Sequence, residues 1–534
     1  MFESVTERLR AANQGRIPFE DQIEALTELR LSIIENKKME QDLLFMYTYM
    51  AAITTSAVTR PEIFQYTSER SEYTPSRYIA KVQRQVAGWG QSYAGGLRAI
   101  AERCRNATLK SMLNRYSNAI DSGVPDADFI ATELSTIRSI YRNTYEQGIE
   151  LLKKWGDAYI AMLLSAALVA TIMMISAGIY APEGIEATLN ISYMIIVAIS
   201  VFGLTIMYRA VPDDPRTHGL KDVCSKEQAL IRRLERLIVP VVAAVTLILA
   251  VVGANAGVIF LLAGLLLMPL GVIGYIDDAN VVRRDEDFAT FIRGLGSIMG
   301  GKAITVGDAL REVDKKSLIY LEPFINSVSS KINLGLDEAR SWKKFIGETG
   351  SYLIYKYMNI FRDAVALGGS PDKIGKIVGS SMLEQVLLRR KRDMMVKGFV
   401  VLLVPMHAAM IAIFVFLFEI LLSMSNAVTD AMNYFTEASS ALSGGTPSGA
   451  GISMGMSMNL FVNFPEDIMR TYVITILLLL TVADILAGKI VMGGDRYLYY
   501  FLTSVLCVAT GIIYIIAPIV VGIFFSIPAL VGVG

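Results

Sequence analysis

Seven stretches of the chain, at about 158–180, 188–208, 237–253, 257–276, 397–423, 470–489 and 500–526, are long and apolar enough to cross a membrane as helices. No other feature narrows the possible fold as far. Roughly 20 mostly apolar residues carry a helix across the hydrocarbon core, and several of these runs exceed that length without a charge. The third and fourth form a tight hairpin around Gly253-Ala254-Asn255-Ala256-Gly257. Charged residues make up only 19% of the 534 residues, against about a quarter in soluble chains. The expected class is an all-α polytopic membrane protein.

Lys and Arg set the orientation, because short loops retained in the cytoplasm are enriched in them. With the N-terminus inside, the outward loops at 179–187, 253–257 and 425–469 and the tail from Ser526 contain neither residue. Arg470 is the lone cation at an outer edge. Arg209, Arg216, Lys221, Lys226, Arg232, Arg233 and Arg236 all fall on inner segments. Seven spans then leave the C-terminus outside. The opening residues, MFESVTERLRAANQGR, are charged and lack an apolar core, so no cleavable signal peptide is expected.

This topology divides the chain into four parts. Residues 1–157 form a cytoplasmic helical domain (core about 40–150), and 158–276 carry four spans with an amphipathic inner loop at 209–236. Residues 277–396 form a second cytoplasmic helical domain. Residues 397–534 carry three spans and an outer Gly/Ser/Met-rich loop at 425–469. In the first domain Pro18 can open a helix, with Ile23, Leu26, Ile33 and Ile34 on one face. In the inner loop Ser225 and Gln228 are spaced as a capping box. Leu230, Ile231, Leu234 and Ile238 share a face there, as in a helix lying on the membrane surface or in a plain solvated one.

The two soluble stretches read as copies. An ungapped offset of 246 pairs Phe45 with Phe291, Thr59 with Thr305, Phe64 with Leu310 and Met112 with Met358. It also sets Ser122-Gly123-Val124-Pro125-Asp126 against Gly368-Gly369-Ser370-Pro371-Asp372. In both, a helix is expected to enter a turn in which glycine permits positive φ and proline fixes the next residue.

The segments FATFIRGLGSIMGGKAITVGDAL and FRDAVALGGSPDKIGKIVGSSM resemble the two halves of the F-domain of type II secretion and type IV pilus assembly platforms. The likeness is clearer in 288–425 than in 40–160, where YMAAITTSAVTRPEIF is a divergent version. A four-helix insert between the copies is similar to the archaeal members, above all the membrane platform of the archaeal flagellum, the archaellum. The resemblance implies a non-catalytic platform that anchors a hexameric cytoplasmic secretion ATPase. It further implies contact with pilin- or archaellin-like filament subunits and a homodimer.

Catalytic signals are weak. Gly296 to Ala303 matches most of a phosphate-binding loop, but Ala303 stands where a Mg²⁺-binding hydroxyl is needed, and helix rather than strand precedes it. Cys104, Cys224 and Cys507 fit no disulfide or zinc spacing, and His218 and His407 have no metal-ligand cluster. No cofactor and no nucleic acid partner are expected. Within spans, the ionisable residues are His407, Glu419 near an outer end and Asp484 near an inner end. Pro405 frees a carbonyl that His407 can use structurally; a membrane transporter is the alternative of another class. Two surface candidates remain. Asp308, Arg311, Glu312, Asp314, Lys315 and Lys316 form a mixed-charge surface that can reach a soluble ATPase. Arg389, Arg390, Lys391, Arg392 and Lys397 form a cationic cluster at the base of the fifth span, suited to anionic headgroups.

Overall fold

The computed structural model describes residues 38–180, 185–220, 222–442 and 464–524, which are helices and turns with no extended strand among them. The helix opened by Pro18, Lys221, residues 443–463 of the outer loop and the C-terminal tail lie outside these residues. Seven helices are long and apolar enough to cross a membrane: Asp126–Tyr180, Ile185–Ala210, Lys226–Val251, Ala256–Lys302, Pro371–Leu442, Glu466–Met492 and Leu498–Phe524. The chain is therefore an all-α, multi-pass membrane protein. It divides into a bundle unit, Met1–Glu146 with Val282–Leu388, and a membrane unit, Gln147–Val281 with Arg389–Gly534.

In the bundle unit the helices of the two soluble stretches recur in the same order. Helices starting at Arg60 and Ser76 have counterparts starting at Val306 and Glu322, 246 residues on. Those starting at Tyr93, Ala107 and Asp126 have counterparts at Glu338, Tyr352 and Pro371, 245 residues on. The ungapped register therefore slips by one, because Glu322–Asn333 is two residues shorter than Ser76–Trp89 while the loop after it is one residue longer. Met112 then corresponds to Tyr357 rather than Met358, and all three are buried. The turns match in detail. Gly123 and Gly368 both have positive φ, and Val124 and Gly369 donate back to Ala119 O and Ala364 O. These are the left-handed glycine and six-to-one bond of a Schellman turn. Thr59 and Thr305 each precede the matching helix and cap it, each with an acid three residues on.

Contacts between the copies hold this unit together. Lys356 is buried, bonded to Glu72 and surrounded by the rings of Phe45, Tyr73, Tyr352 and Tyr355. Arg70 pairs with Asp363 at 2.5 Å, and Arg138 donates to Ser381 Oγ and Ile377 O. Glycine allows one helix crossing: a Cβ on Gly296 would lie 2.4 Å from Pro371 O, and one on Gly375 2.9 Å from Ile292 O.

In the membrane unit lipid is as apolar as the side chains, so spans associate by close packing and polar contacts. Gly257, Gly264 and Gly271, seven apart on the fourth span, present a bare stripe to the seventh. A Cβ on Gly264 would sit 2.9 Å from Ser504 O, and one on Gly271 2.6 Å from Phe501 Cα. Tyr472 of the sixth span bonds both Ala170 O of the first and Ser192 of the second, at 3.1 and 2.6 Å. The hairpin turn uses Gly253 at positive φ, and both of its helices are long enough to span. The amphipathic stretch after Ser225 is the first part of the Lys226–Val251 span rather than a separate helix. Its Ile231, Leu234 and Ile238 pack on Leu267, Leu270 and Tyr497. Ser225 Oγ caps Gln228 N–H as expected, but the Gln228 side chain turns to Asp277, so the box is only half formed.

Gly271→Val places side-chain atoms into the Phe501 backbone and is expected to cost about 1–3 kcal/mol, read as a lower melting temperature in detergent. Gly398→Ala, with open space around the glycine, should leave melting unchanged or raise it slightly.

Candidate functional site

The mixed-charge surface of the bundle unit is built on a short capped helix. Thr305 Oγ1 accepts from Asp308 N–H and donates to its carboxylate, starting Val306–Glu312. Lys302 pairs with Glu312 at 2.5 Å, and Arg311 lies 3.9 Å from Asp308. Asp314 Oδ1 accepts from Lys316 N–H. Asp308, Arg311, Glu312, Asp314 and Lys316 are exposed, and Lys315 is half-buried. These pairs are solvated and individually weak, so the charges stay available to a partner. The sequence reading missed an apolar element beside them. Gly307 packs against Ile332 and Asn333, and the turn that follows exposes Leu334, at 79%, and Leu336. Two leucines flanking a glycine in a turn, Leu334-Gly335-Leu336, were the available signal. Exposed apolar side chains next to solvated charges are the materials of a protein interface. The phosphate-loop resemblance dissolves here: Gly296 and Gly300 lie in a continuous helix against Pro371 and Asp372.

The cationic cluster splits between two faces. Arg390, Lys391 and Lys397 are exposed, whereas Arg389 and Arg392 are buried. Arg389 grips Asp214 through Nε and Nη2 at 2.8 and 2.6 Å and also donates to Pro215 O. Arg392 donates to Val491 O. Arg216 bridges Asp278 and Asp393, so six charged groups gather within the membrane unit. Burial pushes the Asp214 carboxyl up, but Arg389, bonded to it, together with Arg392 and Arg216, more than reverses this and holds it below the usual carboxylate range. The acids of this node sit in the irregular VPDDPR run and at helix positions far apart in sequence, which hid them.

The third group lies inside the spans. His407 Nδ1 is 2.7 Å from Asp484 Oδ2, and its Nε2 is 2.9 Å from Thr510 Oγ1, tying the fifth, sixth and seventh spans. Its partners are these side chains rather than the carbonyl freed by Pro405. Glu419 is 12 residues along the same helix, about 18 Å away, and is only half-buried. The pair can hold or pass a proton. Among the described residues no three His, Cys, Asp or Glu side chains gather as metal ligands.

The chain is 23% identical over 333 residues to flagella accessory protein J of Methanococcus voltae, covering 60% of this chain and 59% of that protein. It is 21% identical over 380 residues to the protein of the same name from Methanocaldococcus jannaschii, covering 68% and 67%. The chain thus spans less than two thirds of the Methanococcus voltae protein and about two thirds of the other. No family model matches the chain, and no solved structure does. The two similarities agree with the resemblance carried by the duplicated segments.

Removing one partner of a buried pair strands the other charge. Arg389→Ala is expected to cost about 3–5 kcal/mol, while Arg390→Ala leaves the melting temperature near that of the parent. The Asp214 pKa is lowered on folding, so its contribution is complete above the unfolded value of about 3.9 and is lost as pH falls through the folded value. Melting of the parent should therefore drop more steeply below about pH 4 than that of Asp214→Asn.

Proposed function

We propose that this chain is a member of the archaellum assembly platform family, the membrane-embedded platform on which an archaeal type IV pilus-like filament is built. The observation that carries this is the similarity to two archaeal flagella accessory proteins J over 333 and 380 residues. The seven spans and the paired helical stretches suit a mounting. In this reading the N-terminus and both soluble stretches face the cytoplasm, the C-terminus lies outside, and the platform works as a homodimer. A hexameric secretion ATPase docks on the surface formed by Asp308, Arg311, Glu312, Asp314, Lys315 and Lys316 around Leu334 and Leu336. The platform passes its motion to filament subunits, with or without rotation. The alternative within the same class is an archaeal adhesive pilus or type II secretion platform, which would mount the same kind of machine for other subunits.

A second reading, a membrane transporter, is favoured by one observation, the buried His407–Asp484–Thr510 group, since ionisable residues within spans mark ion pathways by default. Flux of ions or solutes into liposomes that is abolished by His407→Ala would select it.

Charge reversal at Asp308, Arg311, Glu312, Asp314 and Lys316 together should reduce ATPase co-purification most at low salt, because exposed charges are screened at higher ionic strength. Leu334→Asp with Leu336→Asp should reduce it at every salt concentration. Undiminished co-purification in both variants removes the docking assignment.

A further inference from the structure

Helices Ser76–Trp89 and Tyr93–Glu102 of the bundle unit frame a cavity of about 340 Å³ lined by Tyr78, Lys81, Arg84, Gln85, Ile100 and Arg103. That volume is in the roughly 300–1,000 Å³ range of small-molecule sites. Three of the six lining residues are cations, and none of them pairs with an acid among the described residues. Lys81 Nζ lies 5.1 Å from the centre of the Tyr78 ring, and Arg84 Nε reaches only Ala80 O, at 3.4 Å. The surroundings add to the excess: residues 76–110 contain seven Lys or Arg and a single acid, Glu102. Of those seven, Arg98 is neutralised by Asp121 at 2.9 Å.

A run of charge is usually just a solvated face, but three features set this one apart. First, the cations converge on a concavity from two helices, where like charges raise one another's energy until a counter-charge arrives. Second, Gln85 Oε1 is buried without a hydrogen-bond partner. Turned over, the same amide presents N–H donors to an anion. Third, the other copy serves as an internal control. At the observed offsets Lys81 and Arg84 correspond to Ser327 and Ser330, and Arg103 corresponds to Glu348. The scaffold therefore does not need these cations, and the second copy even places an acid at the third position. Trp89, one turn beyond Gln85 on the same helix, is 81% exposed, which leaves an aromatic surface free within one helical turn of the lining.

We propose that this cavity in the first copy binds a phosphate group, carried by a soluble phosphorylated metabolite or by a phosphomonoester lipid headgroup. Lys81, Arg84 and Arg103 supply charge-assisted bonds, for which Arg is suited by its planar fork. Gln85 supplies an uncharged contact, and Trp89 covers the mouth.

The test uses the full chain in detergent, titrated with pyrophosphate against sodium chloride of matched ionic strength. Melting temperature and Trp89 fluorescence are the two readouts. A second arm places the chain in nanodiscs with and without phosphatidic acid. The comparison variant is Lys81→Ser, Arg84→Ser and Arg103→Gln combined, with Lys81→Gln and Arg84→Gln as a milder pair. The unliganded melting temperature should hardly change, since the second copy uses serine at two of these places. A saturable response to pyrophosphate, weakened roughly tenfold or more in the variants, supports a soluble source. A response confined to phosphatidic acid nanodiscs, and lost in the variants, supports the lipid source. No response beyond matched chloride in either arm, or an equal response in the variants, overturns the proposal.

Discussion

Hydrocarbon offers no hydrogen bonds and no hydrophobic reward for bringing one apolar helix against another, and the membrane unit is organised by that fact. Each span satisfies its own backbone, so what holds neighbours together is close approach or polar contact. The glycine stripe of the fourth span provides the first, bringing its backbone against Phe501 and Ser504. Tyr472, His407 and Asp484 provide the second, each joining two or three spans through side-chain bonds. Where charges leave the lipid they are not released to water at once. Arg389, Arg392 and Arg216 turn inward to Asp214, Asp278, Asp393 and the Val491 carbonyl. A node of this kind gains little over a well-packed apolar one, yet it penalises any arrangement that separates its members.

The parts legible in the sequence were those written in local patterns. Hydropathy located all seven spans, and the Ser225 cap formed as the residues implied; glycine turns formed in both copies, but the second uses Gly368 and not the Gly369 that the ungapped match sets against Gly123. Long-range pairing was not legible. His407 and Asp484 are 77 residues apart, and nothing near Asp484 distinguishes a packed carboxylate from one at an interface. The division of the cationic cluster could have been read more closely. Arg389, Arg392 and Val396 follow a spacing of three and four and so share a helix face, whereas Arg390, Lys391 and Lys397 point elsewhere. The one-residue slip between the copies escaped because Tyr357 and Met358 are both large and buried. Either one satisfies an apolar match to Met112.

The copies themselves show how a scaffold keeps its geometry while its surfaces diverge. Caps, Schellman turns and helix order are retained, because each is needed for the chain to turn back on itself. The outward faces have parted. The second copy exposes leucines on the turn after the helix that packs on Gly307, near residues of both charges; the first gathers cations around a cavity. Packing therefore joins two related halves whose exteriors are free to meet different chemistry.

The third span stands apart from its neighbours in one respect. Only 6% of its most apolar window is buried inside the protein, and its firm contacts are near its start, at Ile231, Leu234 and Ile238 and through Ser225 and Gln228 to Asp277. Most of its length is therefore solvated by acyl chains rather than by protein. A helix so placed answers to bilayer thickness by tilting, with its anchored end as the pivot. The lipid composition of the cell is thus one of the forces that sets this helix's angle, and the third span is where a change of membrane will be felt first.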